Sequence, residues 1–433
     1  MSETKNDKAW GKIFEKYKII DEINRNGFFD ISSSSIKEYR EPRLMTKFDH
    51  EVNLPDIFQK NNLSILPLTR GSYRIGHYDV FKKIKEIDKK IKNFQIPENI
   101  KSIDPKNLYS ESSVLHSAYA TGMIHDLFNI TNNNFLIPTI SGRMSSKDFN
   151  FNILNKKTGK KNKIVVKNSQ IEIDAGYETN NELIIIEAKN FKSEDFIIRQ
   201  LYYPYRLWKS KIVKKVIPVF LNYSNDVFSF YIYNFNNIED YNSLELIESK
   251  KYRISTREIL EEDIREILKT TIVKQEPNIP FPQADDFEKV VDLLTALNDS
   301  ELEQEEITLN FSFVQRQAHY YTRAAKYLNL IEKKNNKYQL TKLGNDIINR
   351  DFKDKYLLII SKILEHEVFN KTLKKYFLNN NYISKNEVIK IMKKSKLYNS
   401  KTKNFEKLSE STIERRSQTV LKWIKWIISL ISK

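Results

Sequence analysis

The chain has 433 residues, 40% of them hydrophobic and 12% aromatic, too apolar for a disordered polymer and long enough for roughly two to four domains. A net charge of +16, from 72 Lys+Arg against 56 Asp+Glu, favours a polyanionic partner, nucleic acid first. With no cysteine and only nine glycines, a disulfide framework, a thiolate metal site and a cysteine nucleophile are excluded, and neither glycine-rich phosphate-loop pattern occurs. No stretch approaches the apolar length of a membrane span, and Met1–Trp10 lacks the apolar core of a signal peptide, so a cytoplasmic protein without membrane contact is expected.

Residues 1–100 read as an N-terminal mixed subdomain with possible DNA contacts. Helical periodicity marks Trp10–Ile23 and Val80–Ile91, a strand-like piece falls at Leu63–Leu66, and Gly71–Gly76 reads as a turn region. Residues 101–275 read as an α/β domain. Glu111–Ile130 has amphipathic helical spacing, and Phe149–Leu154, Lys163–Val166 and Gln170–Asp174 read as strands. Asn180-Asn181 marks a turn before Leu183–Ile186, whose continuous apolar run suits a strand buried on both faces. Ser193–Trp208 reads as a helix, ended or bent at Pro204, and Lys215–Leu221 and Val227–Phe235 as further strands.

The Pro-rich stretch within 276–284 is the clearest linker. Residues 285–350 begin acidic, then show a helix over Phe313–Leu330, alternation over Leu330–Leu340 and a new helix from Thr341. Residues 351–433 are predicted to be basic and helical, with short exceptions near Tyr382–Ile383. They hold seventeen Lys and two Arg against eight acidic residues, an excess of +11. Ile413, Val420, Ile424, Ile427 and Ile431 form an apolar stripe, with Trp423 and Trp426 as packing aromatics.

The residues richest in chemistry are Ile171-Glu-Ile-Asp174 and Ile184-Ile-Ile-Glu187-Ala-Lys189. Glu187 and Lys189 are two apart on a strand and share a face, and a hairpin would bring Asp174 beside them. Two carboxylates form a hard oxygen site suited to Mg²⁺, where a bound water becomes a usable nucleophile, and a neighbouring lysine can hold that water or offset charge on a phosphorane-like transition state. His116 and His125 lie on one amphipathic helix and fit packing or surface roles better than metal ligation.

This D-x₁₂-E-x-K arrangement resembles the PD-(D/E)XK nuclease superfamily. Asp174 matches the first acid, Glu187 the second and Lys189 the lysine, while Ile173 stands where a proline is familiar. The resemblance implies a mixed β-sheet flanked by helices as the nuclease core, with Mg²⁺ (Mn²⁺ as a substitute) held by Asp174 and Glu187. Glu111 is the candidate for a further acid on the preceding helix. Gln200 and Tyr203 resemble a Q-x-x-x-Y element, with the spacing off by one, and Gln200 is given a supporting role.

Glu41–Asp49, Ile140–Ser146 and Arg199–Tyr205 extend the resemblance to type II restriction endonucleases over roughly residues 1–260. It implies that Arg143, Ser145 and Lys147 touch DNA near the cut, that double-stranded DNA is the substrate, and that cutting both strands uses a homodimer. A cognate DNA methyltransferase would be a functional partner. Gln315–Ile331, Lys333–Leu340 and Thr341–Gly344 resemble a winged helix-turn-helix. On such a module Gln315, Arg316, Gln317, Tyr320 and Arg323 are the polar set of the groove-facing helix, and Lys333 and Lys334 belong to the wing. The last helix, in a second winged-helix-like unit, presents Arg415, Arg416 and Gln418. The expectation is a multidomain chain with an α/β core and all-α/winged-helix C-terminal domains. The rival readings are a repair- or structure-directed nuclease and a non-catalytic DNA-binding regulator.

Overall fold

A computed structural model describes residues 4–85, 90–130, 135–310, 315–400 and 402–432 of the chain; the side chains of 309–310 and 315–316 lie outside the described set. The fold is mixed α/β and multidomain, organised around one large mixed sheet. Among the described residues no helix is long and apolar enough to cross a membrane.

The N-terminal unit opens with the helix Lys5–Tyr17, started by a reciprocal Thr4–Asp7 capping box and ended where Lys18 turns left-handed. Its apolar face buries Trp10, Ile13 and Phe14, and the Trp10, Phe14 and Phe58 rings meet edge to face. A three-stranded sheet of Phe28–Ser32, Ser72–Gly76 and Ser64–Pro67, in that order, closes this core. The predicted turn at Gly71–Gly76 is therefore largely the central strand of that sheet. The helical spacing of Val80–Ile91 is also overridden. Phe81–Lys83 pairs antiparallel with Asp195–Ile197 and Ile91–Phe94 joins the main sheet, so strand pairing outweighs local periodicity.

The main sheet has seven strands in the order Ile91–Phe94, Leu244–Ile254, Val227–Phe235, Lys215–Ser224, Glu182–Lys189, Gln170–Glu178 and Ile137–Ser145. Glu182–Lys189 runs antiparallel to Gln170–Glu178 and parallel to Lys215–Ser224. The parallel crossover is made by the helix Arg199–Lys211, which runs through Pro204 without ending. One sheet face packs on the helices Glu111–Ala120 and Met123–Leu127 through Val114, Leu115, Ile124, Ile184 and Ile186. The other packs on Arg199–Lys211 and on a separate hairpin of Asp148–Leu154 and Lys161–Lys167, through Phe151, Ile164, Leu183, Ile185, Leu201 and Tyr203. Seven of the eight residues of Glu182–Lys189 are buried, as its unbroken apolar run requires.

The C-terminal part begins with the helix Phe287–Asp299. Leu302–Glu303, Gln304–Asn310, Gln315–Tyr327, Ile331–Lys334 and Lys337–Leu340 follow as strand, helix, helix and hairpin. The three short strands form one sheet with Lys337–Leu340 in the middle. Helices Phe352–Leu364, Glu367–Leu378 and Lys385–Lys394 lead to a hairpin, Leu397–Asn399 with Asn404–Glu406, and then to the helix Glu410–Ser429. Those short strands lie later than the Tyr382–Ile383 exceptions expected from sequence. Trp423 and Trp426 are buried in this core, as their apolar stripe predicts. The helix Glu261–Thr270, which the sequence grouped with residues 101–275, contributes Ile264 and Leu268 to the same C-terminal core.

Candidate active site

Pairing between Gln170–Glu178 and Glu182–Lys189 runs from Leu183 opposite Glu178 to Ile186 opposite Ala175. One step further along both strands sets Glu187 beside Asp174. Ile171 and Ile173 enter the core beneath the Arg199–Lys211 helix, whereas Ala175 and Tyr177 face the opposite core. The alternation slips by one residue at Asp174, where the pairing with Ile137–Ser145 also shifts between Ile140 and Gly142. Such a bulge re-aims a side chain at the end of a strand. Here the Ala188 N–H donates to Asp174 Oδ2 at 2.8 Å and fixes the carboxylate.

Lys189 Nζ lies 2.6 Å from Glu187 Oε1 and 3.4 Å from Glu111 Oε1. Gln200, in the first turn of its helix, donates from Nε2 to the same Glu187 oxygen. Glu111 opens a helix capped by Ser110, whose Oγ accepts from the Ser113 N–H at 3.1 Å. The structure therefore brings Asp174, Glu187, Lys189, Glu111 and Gln200 together. A carboxylate with no site role assigned from sequence joins them. Asp49 follows the short helix Pro42–Thr46 and adds to the field on Lys189. The resemblance carried by Glu41–Asp49 gives it no role, because it reaches the site only through the docking of the N-terminal unit. Asn222, opposite Lys189 on the parallel strand, was also unforeseen. It donates from Nδ2 to the carbonyls of Lys189 and Phe191 and accepts from the Ser193 N–H, pinning the turn after the lysine.

Glu187 and Lys189 are only 6% and 5% exposed. Burial pushes the Glu187 carboxyl up to about 8, with Lys189 pulling it down and Asp174 pushing it up. Burial likewise pushes Asp174 up to about 6, against Lys189 and with the repulsion of Glu111. Burial alone would lower Lys189, but Glu187, Glu111, Asp49 and Asp174 hold it well above its ordinary value. Burial would raise Asp49, yet Lys189, Lys47, Arg199 and His50 hold it below the usual carboxylate range. Lys189 thus faces four carboxyl groups, of which Glu187 and Asp174 are pushed towards the protonated form; a divalent cation would favour their ionised forms. Among the described residues no three His, Cys, Asp or Glu side chains form a ready-made metal cage. The all-oxygen pair Asp174 and Glu187 fits Mg²⁺, which keeps several waters and needs few protein ligands.

The site opens into a cleft of about 730 Å³ shared by all three parts of the chain. Glu111 and Lys189 line it from the sheet, Arg43 and Asp49 from the N-terminal unit, and Asp292 and Thr295 from the helix Phe287–Asp299.

The other sequence-selected residues lie apart from this group. Arg143 sits on the edge strand and meets Glu172 at 3.2 Å; Ser145 donates to Asn168 Oδ1 at 3.0 Å; Lys147 occupies a left-handed turn. Arg323, Lys333, Lys334, Arg415 and Gln418 are exposed. Gln317 and Tyr320 are half-buried and partnered. Gln315 and Arg316 are placed on the helix Gln315–Tyr327, with side chains outside the described set. Arg416 turns inward. With the Gln283 amide oriented oxygen-first towards it, Gln283 accepts from the guanidinium and donates to Tyr320 Oη at 3.1 Å. Burial, then the Arg415 charge, pulls Arg416 down to about 10.

Three family models match the chain. They are domains of unknown function: DUF6996 over residues 7–75, DUF6997 over residues 76–253 and DUF7226 over residues 289–432. No curated protein and no solved structure matches it. Glu111, Asp174, Glu187, Lys189 and Gln200 all fall within the DUF6997 match, and Asp49 falls within DUF6996.

Proposed function

We propose that this chain is a Mg²⁺-dependent endonuclease of double-stranded DNA, of the restriction type, with a PD-(D/E)XK core and C-terminal winged-helix readers. The observation that carries the reading is the convergence of Glu187 and Glu111 on Lys189 Nζ at the mouth of a cleft, with Asp174 fixed beside them by the Ala188 N–H. The sheet supports it: the strands bearing Asp174 and Glu187 are antiparallel neighbours, and a helix bearing Gln200 leads to the next, parallel strand.

Asp174 and Glu187 would hold Mg²⁺, which supplies a Lewis acid for the phosphate and for the attacking water. The chain's own groups do the rest. Ala188 N–H fixes Asp174, Gln200 fixes Glu187, and Lys189 donates to the water and orients it. Water adds to phosphorus, the bridging P–O bond breaks, and the departing oxygen takes a proton, leaving a phosphate monoester and a hydroxyl. The strand–helix–helix–hairpin order of 302–340, its exposed Lys333 and Lys334, and the +11 excess after residue 350 support the reader assignment. Cutting both strands calls for two copies of the site and so for a homodimer.

Plasmid DNA incubated with the full chain and Mg²⁺ tests the proposal. Discrete fragments are expected. Asp174→Asn and Lys189→Met should lower the cleavage rate by about a thousandfold while retaining DNA binding in a gel shift. Cleavage at the wild-type rate by either variant, or intact plasmid with both Mg²⁺ and Mn²⁺, overturns it.

A further inference from the structure

A second cavity, of about 1070 Å³, lies on the same sheet face as Lys189 but further along the sheet. Strand register builds its floor. Lys189, Asn222, Ser229, Lys251 and Ile91 form one row across five strands, and Ser224, Val227, Arg253 and Asn93 form the next. One row further back the same face carries the core residues Phe220 and Tyr231. The face therefore changes from apolar to polar just where the cavity begins. Phe58 from the N-terminal unit and Trp426 from the last helix close over it.

The charges on this floor are only partly balanced from within, where Asp195 and Glu258 stand with the paired acids. Lys192 is held by Asp286 and Glu288, Glu194 by Lys289, and Lys156 by Glu51. Lys83, Lys90, Lys251 and Arg253 line the cavity with no ion pair among the described residues. Arg253 is the most telling. It is 5% exposed, its guanidinium stacks on the Phe352 ring at 4.0 Å, and its Nε has no hydrogen-bond partner among the described residues. The nearby Asp226 is taken by Lys355 at 2.6 Å, and Glu258, the other acid acting on Arg253, accepts from Asn93 Nδ2 at 3.1 Å and makes no ion pair with it. A buried, preoriented guanidinium without an acceptor is costly unless an anion supplies one.

We infer that this cavity binds a nucleoside polyphosphate, with its phosphates on Arg253 and Lys251 and its ring in the part lined by Phe81 and Trp426. Several unmatched cations suit a ligand with more than one negative charge, and the planar guanidinium suits phosphate oxygens. Arg253 stands three strands from Lys189, about 14 Å along the sheet. The site is thus separate from the cleavage chemistry and its test needs no cleavage.

Titration calorimetry of the full chain with ADP, without divalent cations, reads the proposal. Saturable binding of about one ADP per chain is expected, weakened about tenfold or more by Arg253→Gln and by Lys251→Gln. If buried Arg253→Gln does not fold, the half-buried Lys251→Gln decides alone, with its melting temperature as the control. No uptake of ADP by the wild-type chain, or uptake unchanged by Lys251→Gln, overturns the inference. So does a 5′-phosphorylated oligonucleotide that binds in a Lys251-dependent way while ADP does not, since the cavity would then be part of a nucleic-acid path.

Discussion

Asp292 offers a quantitative test of how the C-terminal part is held to the sheet. It lies on the helix Phe287–Asp299, 5% exposed, and accepts from Lys192 N–H at 2.7 Å, Ser224 Oγ at 2.9 Å and Asn225 N–H at 3.3 Å. Burial outweighs these donors and pushes its carboxyl from 3.8 up to about 7. A carboxyl raised on folding contributes stability that is fully present below 3.8 and is lost as pH rises through about 7. Each pH unit inside that window changes stability by about 1.4 kcal/mol. Asp292→Asn keeps the shape and removes the titration. Because Asp292 is half ionised at pH 7, the variant should therefore gain about 2 kcal/mol relative to wild type between pH 5 and pH 7. Urea unfolding at the two pH values, followed by tryptophan fluorescence, measures it, since Trp423 and Trp426 report this core. Parallel stabilities of the two proteins across that range would refute the reasoning and show that the three donors keep Asp292 ionised.

Three other substitutions separate the remaining contributions. Ser110→Ala removes the cap beneath Glu111 and should cost about 1 kcal/mol in thermal unfolding, with a several-fold slower cleavage rate and not the near-total loss expected of Asp174→Asn. Gly344→Ala places a Cβ 2.0 Å from the Leu330 carbonyl oxygen, a backbone atom that cannot step aside, and should destabilise the C-terminal core by about 3 kcal/mol or more by urea titration. Glu305→Ala breaks contacts to Lys5 at 2.8 Å and Arg40 at 3.1 Å. Those groups are partly exposed, so melting should shift by no more than about 1 kcal/mol and the difference should shrink in high salt.

The core of the candidate site was legible because its geometry is local. Asp174, Glu187 and Lys189 lie on two neighbouring strands joined by a short turn, so a hairpin suffices to bring them together, although the bulge that re-aims Asp174 carries no sequence mark. Glu111 and Gln200 sit in the first turns of helices on opposite faces of the sheet, and the family resemblance, not local spacing, singled them out. Asp49 and Asn222 were singled out by neither, since each meets Lys189 only through the packing of remote segments. The same limit explains Val80–Ile91. Its apolar spacing suits a helix, but partners supplied by Asp195–Ile197 and Leu244–Ile254 draw its ends into strands. The helical pattern puts Arg416 with Arg415 and Gln418 in the DNA-reading set, whereas the return of the linker residue Gln283 gives it a partner that no helical pattern discloses.

Ile259 and Ile431 pair in an isolated bridge, and Ser432 N–H donates to the Ile259 carbonyl at 2.9 Å. Translation delivers these partners on the order of ten seconds or more apart. Throughout that interval the helix Glu261–Thr270 has been made, but the core that receives Ile264 and Leu268 has not. A nascent chain, or one released early by a premature stop codon, therefore displays a sticky amphipathic helix beside a finished sheet. That species is a natural client for holding chaperones, and its yield should respond to their supply more strongly than the yield of the completed protein.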